Sequence, residues 1–289
     1  MTAGAGVLYV VATPIGNLAD WSARAISVLR EAHTVYAEDT RHSQTLLNHH
    51  DIRTPLRSLH EHNEQQRVAE LAGLLSQGET LALISDAGTP LISDPGFKLV
   101  RELRAQGFRV APVPGPCALI AALSCAGLPT DRFSFEGFLP AKAGARRERL
   151  QALARDPRTL VFYEAPHRIL ETLQDAAAVF GADRPAVLAR ELTKTFETFL
   201  DGSLSALVTR VEQDSDQQRG EIVLMIAGAP ERSETETEDQ ATRVLSLLLP
   251  EMPLSRAVAV AEQLTGLPHK PLYKKALELK KTLAESDES

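Results

Sequence analysis

The segment Ser85-Asp86-Ala87-Gly88-Thr89-Pro90-Leu91-Ile92-Ser93-Asp94-Pro95-Gly96 carries two glycines and two prolines in twelve residues. It follows the apolar run Thr80-Leu81-Ala82-Leu83-Ile84 and precedes an amphipathic stretch from Phe97 to Gln106, the pattern of a strand, a loop and a helix. Proline fixes φ, and glycine removes the Cβ that keeps a ligand away from the main chain, so a small molecule can lie against such a loop. Two other segments share the design. Val7 to Ala12 runs into Thr13-Pro14-Ile15-Gly16-Asn17, and Phe108 to Val113 runs into Pro114-Gly115-Pro116 before a helix-like stretch from Cys117 to Ala126. Each loop alone is equally a tight strand-to-helix turn. Three together outline one crevice, because ligands of open α/β sheets sit at the carboxyl ends of the strands. No Gly-x-Gly-x-x-Gly follows a strand and no Gly-Lys-Ser/Thr is present, which disfavours a dinucleotide oxidoreductase or a P-loop ATPase.

The elements that must position these loops follow from periodicity. Up to about residue 112, short apolar runs, including Val35-Tyr36-Ala37 and Leu56 to Leu59, alternate with helical patterns such as Val68, Leu71, Leu74 and Leu75 before Gly78. This predicts a first α/β domain over 1–112 with a mostly parallel, helix-covered sheet, linked through Pro112 to Pro116 to a second α/β domain over 117–228. Strands of the second are expected at 133–138, 159–163, 186–190, 196–200 and 221–227. Residues 229–239 carry five acids and one base without a large apolar side chain, and read as an acidic linker. Beyond it, a small helical domain over 240–289 is expected, with helices at 241–249, 255–265 and 270–281, Ser255 as an N-cap, Gly266 as a stop and Pro268 beyond. Two helices around a Gly-containing turn fit a helix-turn-helix or a plain packing unit.

At 289 residues and 44% hydrophobic content, the chain can bury one large core or two medium ones. No apolar run reaches the roughly 20 residues of a membrane span, and no basic region followed by a long apolar one opens the chain, so a cytoplasmic protein without a membrane partner is expected. Cys117 and Cys125 give neither a disulfide framework nor a zinc spacing and are expected in the core of one helix. The net charge of −7 excludes a protein coated in basic surface, so RNA binding requires local patches. Two are available: Lys142, Arg146, Arg147 and Arg149 around Glu148, and Lys270, Lys274, Lys275, Lys280 and Lys281 around Glu278. Either is also an ordinary solvated face.

Six blocks in order resemble the tetrapyrrole methylase superfamily of S-adenosylmethionine-dependent methyltransferases. They are Thr13 to Leu18, Ala37-Glu38-Asp39-Thr40-Arg41, Ser58-Leu59-His60-Glu61-His62-Asn63-Glu64, the Ser85 to Gly96 loop, Phe162-Tyr163-Glu164-Ala165-Pro166-His167-Arg168 and Arg190-Glu191-Leu192-Thr193-Lys194. The match is to the branch that methylates a cytidine ribose 2'-oxygen in the decoding region of small-subunit ribosomal RNA. It implies two α/β domains with S-adenosylmethionine in the cleft between them, the small-subunit RNA or the assembled subunit as partner, and a homodimer. The resemblance also carries over binding positions: Pro14, Asp86, Ala87, Gly88, Thr89 in place of the family's aspartate, Ile92, Cys117, Ala118, Glu164 and Leu192.

The implied chemistry is an in-line displacement in which a hydroxyl attacks the methyl carbon of a sulfonium. Orienting the centres is worth up to about 7–11 kcal/mol and removing the hydroxyl proton about 10²–10⁴-fold. The resemblance points to Asp39 as the base, with Arg41 beside it and His60 or Glu64 next in line; Asp39 is otherwise a helix cap or an ion-pair partner of Arg41. His60, His62 and Glu64 on alternate positions of a strand are read as a polar substrate wall, not as metal ligands. Two other functions are open: a tetrapyrrole (precorrin or uroporphyrinogen) C-methyltransferase, and a non-catalytic cofactor-sensing or RNA-binding module. Thr13-Pro14-Ile15-Gly16-Asn17, where tetrapyrrole enzymes have Gly-x-Gly-Pro-Gly-Asp, and the C-terminal helices favour RNA.

Overall fold

The computed structural model describes residues 6–60, 63–230 and 234–286. Residues 1–229 form one compact unit and residues 230–289 another. Within the first unit lie two five-stranded sheets.

The first sheet contains β1 (Val7–Val11), β2 (Thr34–Ala37), β3 (Leu56–Ser58), β4 (Thr80–Ile84) and β5 (Arg109–Val113) in the order β3-β2-β4-β1-β5, with all pairings parallel. Parallel neighbours need crossovers, which α1 (Ala23–Glu31), α2 (Thr40–His49), α3 (Glu64–Ser76) and α4 (Phe97–Ala105) supply. The two-residue side-chain period divides β4 between two cores. Leu81 and Leu83 join Leu71, Leu75, Leu99 and Leu103 on one face, while Ala82 and Ile84 join Leu29, Val35 and Leu47 on the other. Pro112 lies inside β5, tolerated because β5 is an edge strand.

The second sheet orders β6 (Phe133–Phe138), β7 (Thr159–Glu164), β8 (Pro185–Arg190), β9 (Thr198–Ser203) and β10 (Ile222–Ile226) as β6-β7-β10-β8-β9. Only β6 and β7 pair in parallel; β10 runs antiparallel to both of its neighbours, and β8 antiparallel to β9. The strand expected at 196–200 thus begins at Thr198 and extends to Ser203. One face packs on α6 (Ala143–Leu153), α7 (Ile169–Phe180) and α8 (Leu204–Gln213), burying Leu160, Phe162, Leu188 and Leu224. The other face buries Val161, Val187, Val223 and Met225 against α5 (Ala118–Cys125), together with Ile15 and Leu192. Cys117 is the half-buried residue preceding α5 and Cys125 is exposed, so the two cysteines are not the shared core pair expected. The apolar stripe of α5 is carried by Leu119, Ala122 and Leu123 instead.

The second unit holds α9 (Glu234–Leu248), α10 (Leu254–Thr265) and α11 (His269–Ser286) around Leu245, Val258, Ala261, Leu272 and Ala276. The expected acidic linker is shorter than 229–239, since α9 already begins at Glu234. Pro253 occupies the N-cap of α10, and Ser255 lies within the helix rather than capping it. Gly266 does terminate α10, in the left-handed conformation at φ 72°. No helix among the described residues is long and apolar enough to cross a membrane.

Candidate active site

The order β4-β1-β5 sets the three Gly/Pro loops side by side, and Val11 is in register with both Ile84 and Val113, so the loops leave the sheet at one level. Hydrogen bonds then staple them. Thr13 and Gly88 exchange backbone bonds of 2.8 and 3.1 Å, and the Thr13 hydroxyl donates to the Ser85 carbonyl at 3.1 Å. The Thr89 hydroxyl donates to the Pro116 carbonyl at 3.0 Å, and Trp21 Nε1 to the Ala12 carbonyl at 2.9 Å. Gly88 adopts φ +82°, a conformation that strains any residue with a Cβ. Gly16 is fixed by proximity: a Cβ there would lie 2.4 Å from Lys194 Cγ and 3.0 Å from the Leu192 carbonyl oxygen, so the first loop touches the second α/β half.

Between these loops and the second sheet lies a cavity of about 400 Å³. Its loop side is lined by Ile15, Ala87, Gly88, Thr89, Ile92, Ser93 and Asp94, with Cys117 and Ala118 at the start of α5. Its opposite side is built from Phe138, from Tyr163 to Pro166, from Leu192, and from Gly220 to Val223. Of the expected binding positions, Ala87, Gly88, Thr89, Ile92, Cys117, Ala118, Glu164 and Leu192 line it, whereas Pro14 and Asp86 do not. Pro14 is buried beneath the first loop and Ile15 faces the cavity in its place. Asp86 accepts the Asp39 amide at 3.2 Å. The Glu164 carboxylate is occupied by the Ala165 amide at 2.7 Å, the Thr172 hydroxyl at 2.7 Å and the Arg168 guanidinium, so it braces the wall rather than offering a free charge.

Two apolar residues of the cavity wall, Ile92 and Leu192, each sit between left-handed neighbours. Leu91 (φ 73°) and Ser93 (φ 68°) flank Ile92, and Glu191 (φ 51°) and Thr193 (φ 66°) flank Leu192. Left-handed conformations at non-glycine residues cost on the order of 1–3 kcal/mol each and persist where surrounding structure enforces them. Around Leu192 the enforcement is visible. Glu191 Oε1 accepts Lys194 Nζ and the Glu221 amide, both at 2.9 Å, and Glu197 accepts the Thr193 amide at 2.6 Å.

None of the four expected catalytic residues lines this cavity. Asp39 is the N-cap of α2, its Oδ1 accepting the Arg41 amide at 2.8 Å and the His42 amide at 3.4 Å, while the Arg41 guanidinium lies 3.3 Å from Oδ2. The Arg41 amide, then the Arg41 side chain, hold the carboxyl below its ordinary range, which makes it a weaker base. The His60 ring approaches Asn63 Nδ2 at 3.2 Å. Glu64 is 4% exposed and accepts the Leu99 amide at 2.8 Å, completing the N-terminus of α4. The expected strand alternation of His60, His62 and Glu64 fails because β3 ends at Ser58 and Glu64 opens α3; His62 lies outside the described residues.

Three acids do line the cavity: Glu164, Glu221 and, on the loop side, Asp94. Burial, reinforced by the negative charges of Glu38 and Asp86 and opposed by the Ser85 side chain, pushes the Asp94 pKa up to about 6. The sequence contained its loop but gave no reason to prefer this acid over Asp86. Phe138 and Gly220 to Val223 had no local signal, since they sit at or next to ordinary strand ends.

The two basic clusters differ. Arg146 is 2% exposed and bonds Asp175 at 2.6 Å and Glu171 at 3.2 Å; Arg147 bonds Asp175 at 2.8 Å, and Arg149 pairs with Glu136. That cluster is an ion network joining α6 to α7 and β6, not a free basic patch. On α11, Lys270, Lys274 and Lys280 are exposed and Lys275 half-buried, because Leu272, Ala276 and Leu279 take the inward stripe. His269 and Tyr273 stack one turn apart, with centroids 5.9 Å apart.

Comparison with known proteins places this architecture. The model of the Tetrapyrrole (Corrin/Porphyrin) Methylases matches residues 7–208, and that of the RsmI C-terminal HTH domain matches residues 235–280. The chain is 60% identical over 276 residues to Ribosomal RNA small subunit methyltransferase I of Pseudomonas aeruginosa, covering 95% of this chain and 98% of that protein. It is 51% identical over 273 residues to the protein of the same name from Escherichia coli O157:H7, covering 94% and 95%. Among solved structures, cobalt precorrin-4 methyltransferase aligns with a TM-score of 0.58 at 15% identity, covering 76% of this chain and 94% of that one. The uroporphyrin-III C-methyltransferase of Thermus thermophilus aligns at 0.55 and 21%, covering 78% and 95%. At those identities the two structures share the fold. By the family match and the near-full-length relatives, the chain belongs to the tetrapyrrole methylase family, in its group of ribosomal RNA small subunit methyltransferase I proteins.

Proposed function

We propose that this protein transfers the methyl group of S-adenosylmethionine to the 2'-oxygen of a cytidine ribose in the decoding region of small-subunit ribosomal RNA. The observation that carries the cofactor reading is the cavity at the carboxyl ends of β1, β4 and β5. Its volume of about 400 Å³ falls within the range of small-molecule sites, and its walls combine apolar side chains (Ile15, Ile92, Leu192) with main chain from Ala87 to Thr89. One neighbouring structure of the same fold is that of the Thermus thermophilus uroporphyrin-III C-methyltransferase in complex with S-adenosyl homocysteine. The RNA reading is supported by the name that the relatives carry and by the exposed lysines of α11.

When bound, S-adenosylmethionine supplies a sulfonium methyl group whose departure leaves a neutral thioether. The protein's own share is to hold and orient. The stapled loops fix Gly88 and Thr89 before any ligand arrives, so little ordering is left for the binding step. Ile92 and Leu192 exclude water from the centre of the cavity. Phe138, 56% exposed and edge-on to Tyr163 at 5.8 Å between centroids, presents an aromatic face for an unstacked base.

Ribose-methylation mapping of small-subunit RNA tests the reading. A strain lacking this gene loses one cytidine 2'-O-methyl group, and complementation restores it. An unchanged map rejects the RNA substrate, and methylation of a tetrapyrrole by the purified protein would put that substrate class in its place.

A further inference from the structure

We infer that Asp94 is the catalytic residue that accepts the proton of the substrate hydroxyl, on the wall of the cavity. This rests on the methyltransferase reading above and goes beyond it by naming the base.

The remaining ionisable side chains of the cavity are committed or mismatched. Glu164 is held by Arg168 and Thr172. Glu221 reaches out to Lys194 Nζ at 3.1 Å with its side chain 72% exposed. The Tyr163 hydroxyl accepts the Leu119 amide at 3.3 Å, and burial raises its pKa, so it holds its proton at neutral pH. Asp94 lines the cavity and also borders a smaller hollow with Glu38, Leu59 and Pro95. Its position is enforced by the backbone: Ser93 before it is left-handed, and Gly96 two residues after it has φ 119°. Backbone strain of this kind collects at functional sites.

The charged and titratable groups facing Asp94 are Glu38 at the end of β2, Asp86 after β4 and Tyr163 of β7. Burial and the two carboxylates move Asp94 to about 6, ionised at neutral pH yet far more basic than the capped Asp39. General bases work best with a pKa near the operating pH. In the step, the hydroxyl oxygen forms its bond to the methyl carbon, and the carbon–sulfur bond breaks with its electron pair staying on sulfur. The hydroxyl proton passes to the Asp94 carboxylate, which returns it to solvent.

The test joins a titration of the ligand-free protein to single-turnover kinetics. Carboxyl carbon NMR is expected to show Asp94 titrating near 6, and an ordinary carboxylate value overturns the assignment. With saturating S-adenosylmethionine and small subunits from a strain lacking the gene, Asp94→Asn is expected to slow methyl transfer by about 10²–10⁴-fold. Cofactor affinity by calorimetry stays within a few-fold. The wild-type rate rises with pH through about 6 and then levels, and Asp94→Glu recovers part of the rate with a pH dependence of its own. An Asp94→Asn enzyme that transfers at the wild-type rate, or that loses only cofactor affinity, overturns the role of Asp94 alone. A wild type that binds the cofactor yet methylates no small-subunit RNA overturns the RNA reading and this role together.

Discussion

The two walls of the cavity are made in different ways. The wall from the first sheet is three loops whose glycines and prolines force the backbone into place, and whose residues then cross-link by Thr13 and Thr89. The wall from the second sheet is strand ends: Tyr163 and Glu164 of β7, Ile222 and Val223 of β10, with Leu192 on the loop after β8. A loop that must hold an unusual backbone leaves its requirement in residue types. A strand end reaches the same cavity because of which strands it pairs with, and its side chains look like any others. Substitution at a glycine of the first wall is therefore expected to cost more than truncation of a side chain on the second.

The sharpest way to break this contrast is Gly88→Val. At φ +82° a branched side chain is strained whatever space surrounds it, and the ideal Cβ already lies 3.3 Å from Ile15 Cγ2. Cofactor affinity measured by calorimetry is expected to fall by more than about 100-fold with the circular dichroism of the fold retained, since several kcal/mol of strain and displacement fall on the binding loop. Affinity within a few-fold of wild type would show that the loop is not preorganised. Leu192→Ala on the other wall is expected to weaken the cofactor less, by about 10-fold, as removing methylenes from an apolar pocket does. Equal losses at the two positions would erase the distinction.

Phe138→Ala is expected to leave cofactor affinity nearly unchanged and to raise the KM for small subunits by about 5- to 10-fold, at the low end of what base stacking contributes. A change in cofactor affinity instead would move Phe138 from the substrate to the cofactor. The smallest effect on turnover is expected at Asp39→Asn, which keeps one cap acceptor, loses the charge facing Arg41, and lies outside the cavity. Single-turnover rates stay within about 3-fold, while the thermal midpoint falls slightly, because the negative charge at the N-terminus of α2 is lost although the cap acceptor remains. The charge contributes through a depressed carboxyl pKa. Its stabilisation is present above the unfolded value near 3.8 and is lost as pH falls through the lower folded value, so the midpoints of wild type and variant converge in acid. A hundredfold loss of turnover would return Asp39 to the chemistry and displace Asp94.

The basic clusters teach the same lesson about context. In sequence, Lys142 to Arg149 and Lys270 to Lys281 both read as charge runs with a single acid. Folding brings Glu136, Glu171 and Asp175 to the first, and buries Arg146 with them, because α7 packs along α6. A buried cation without such partners is prohibitively costly, so the acids were required, yet they come from 13 to 29 positions away. The α11 run has its inward stripe filled by apolar residues, which leaves lysines outside.

What the sequence determined by itself is local: the three Gly/Pro loops, the strands and helices that carry them, the stop at Gly266, and hence most of the expected binding positions that line the cavity. Those features need only a residue and its neighbours, through φ restrictions, two- and 3.6-residue periods and turn chemistry. What tertiary structure alone decided is every role that depends on a distant partner. Strand order put Gly220 to Val223 opposite Ile92 and reversed β10 between two neighbours. Leu99 took Glu64 as the acceptor for its amide, α2 took Asp39 as its cap, and burial, with Glu38 and Asp86 beside it, raised the basicity of Asp94. A carboxylate's function is set by which amides, charges and solvent it meets after folding, and spacing along the chain does not carry that information.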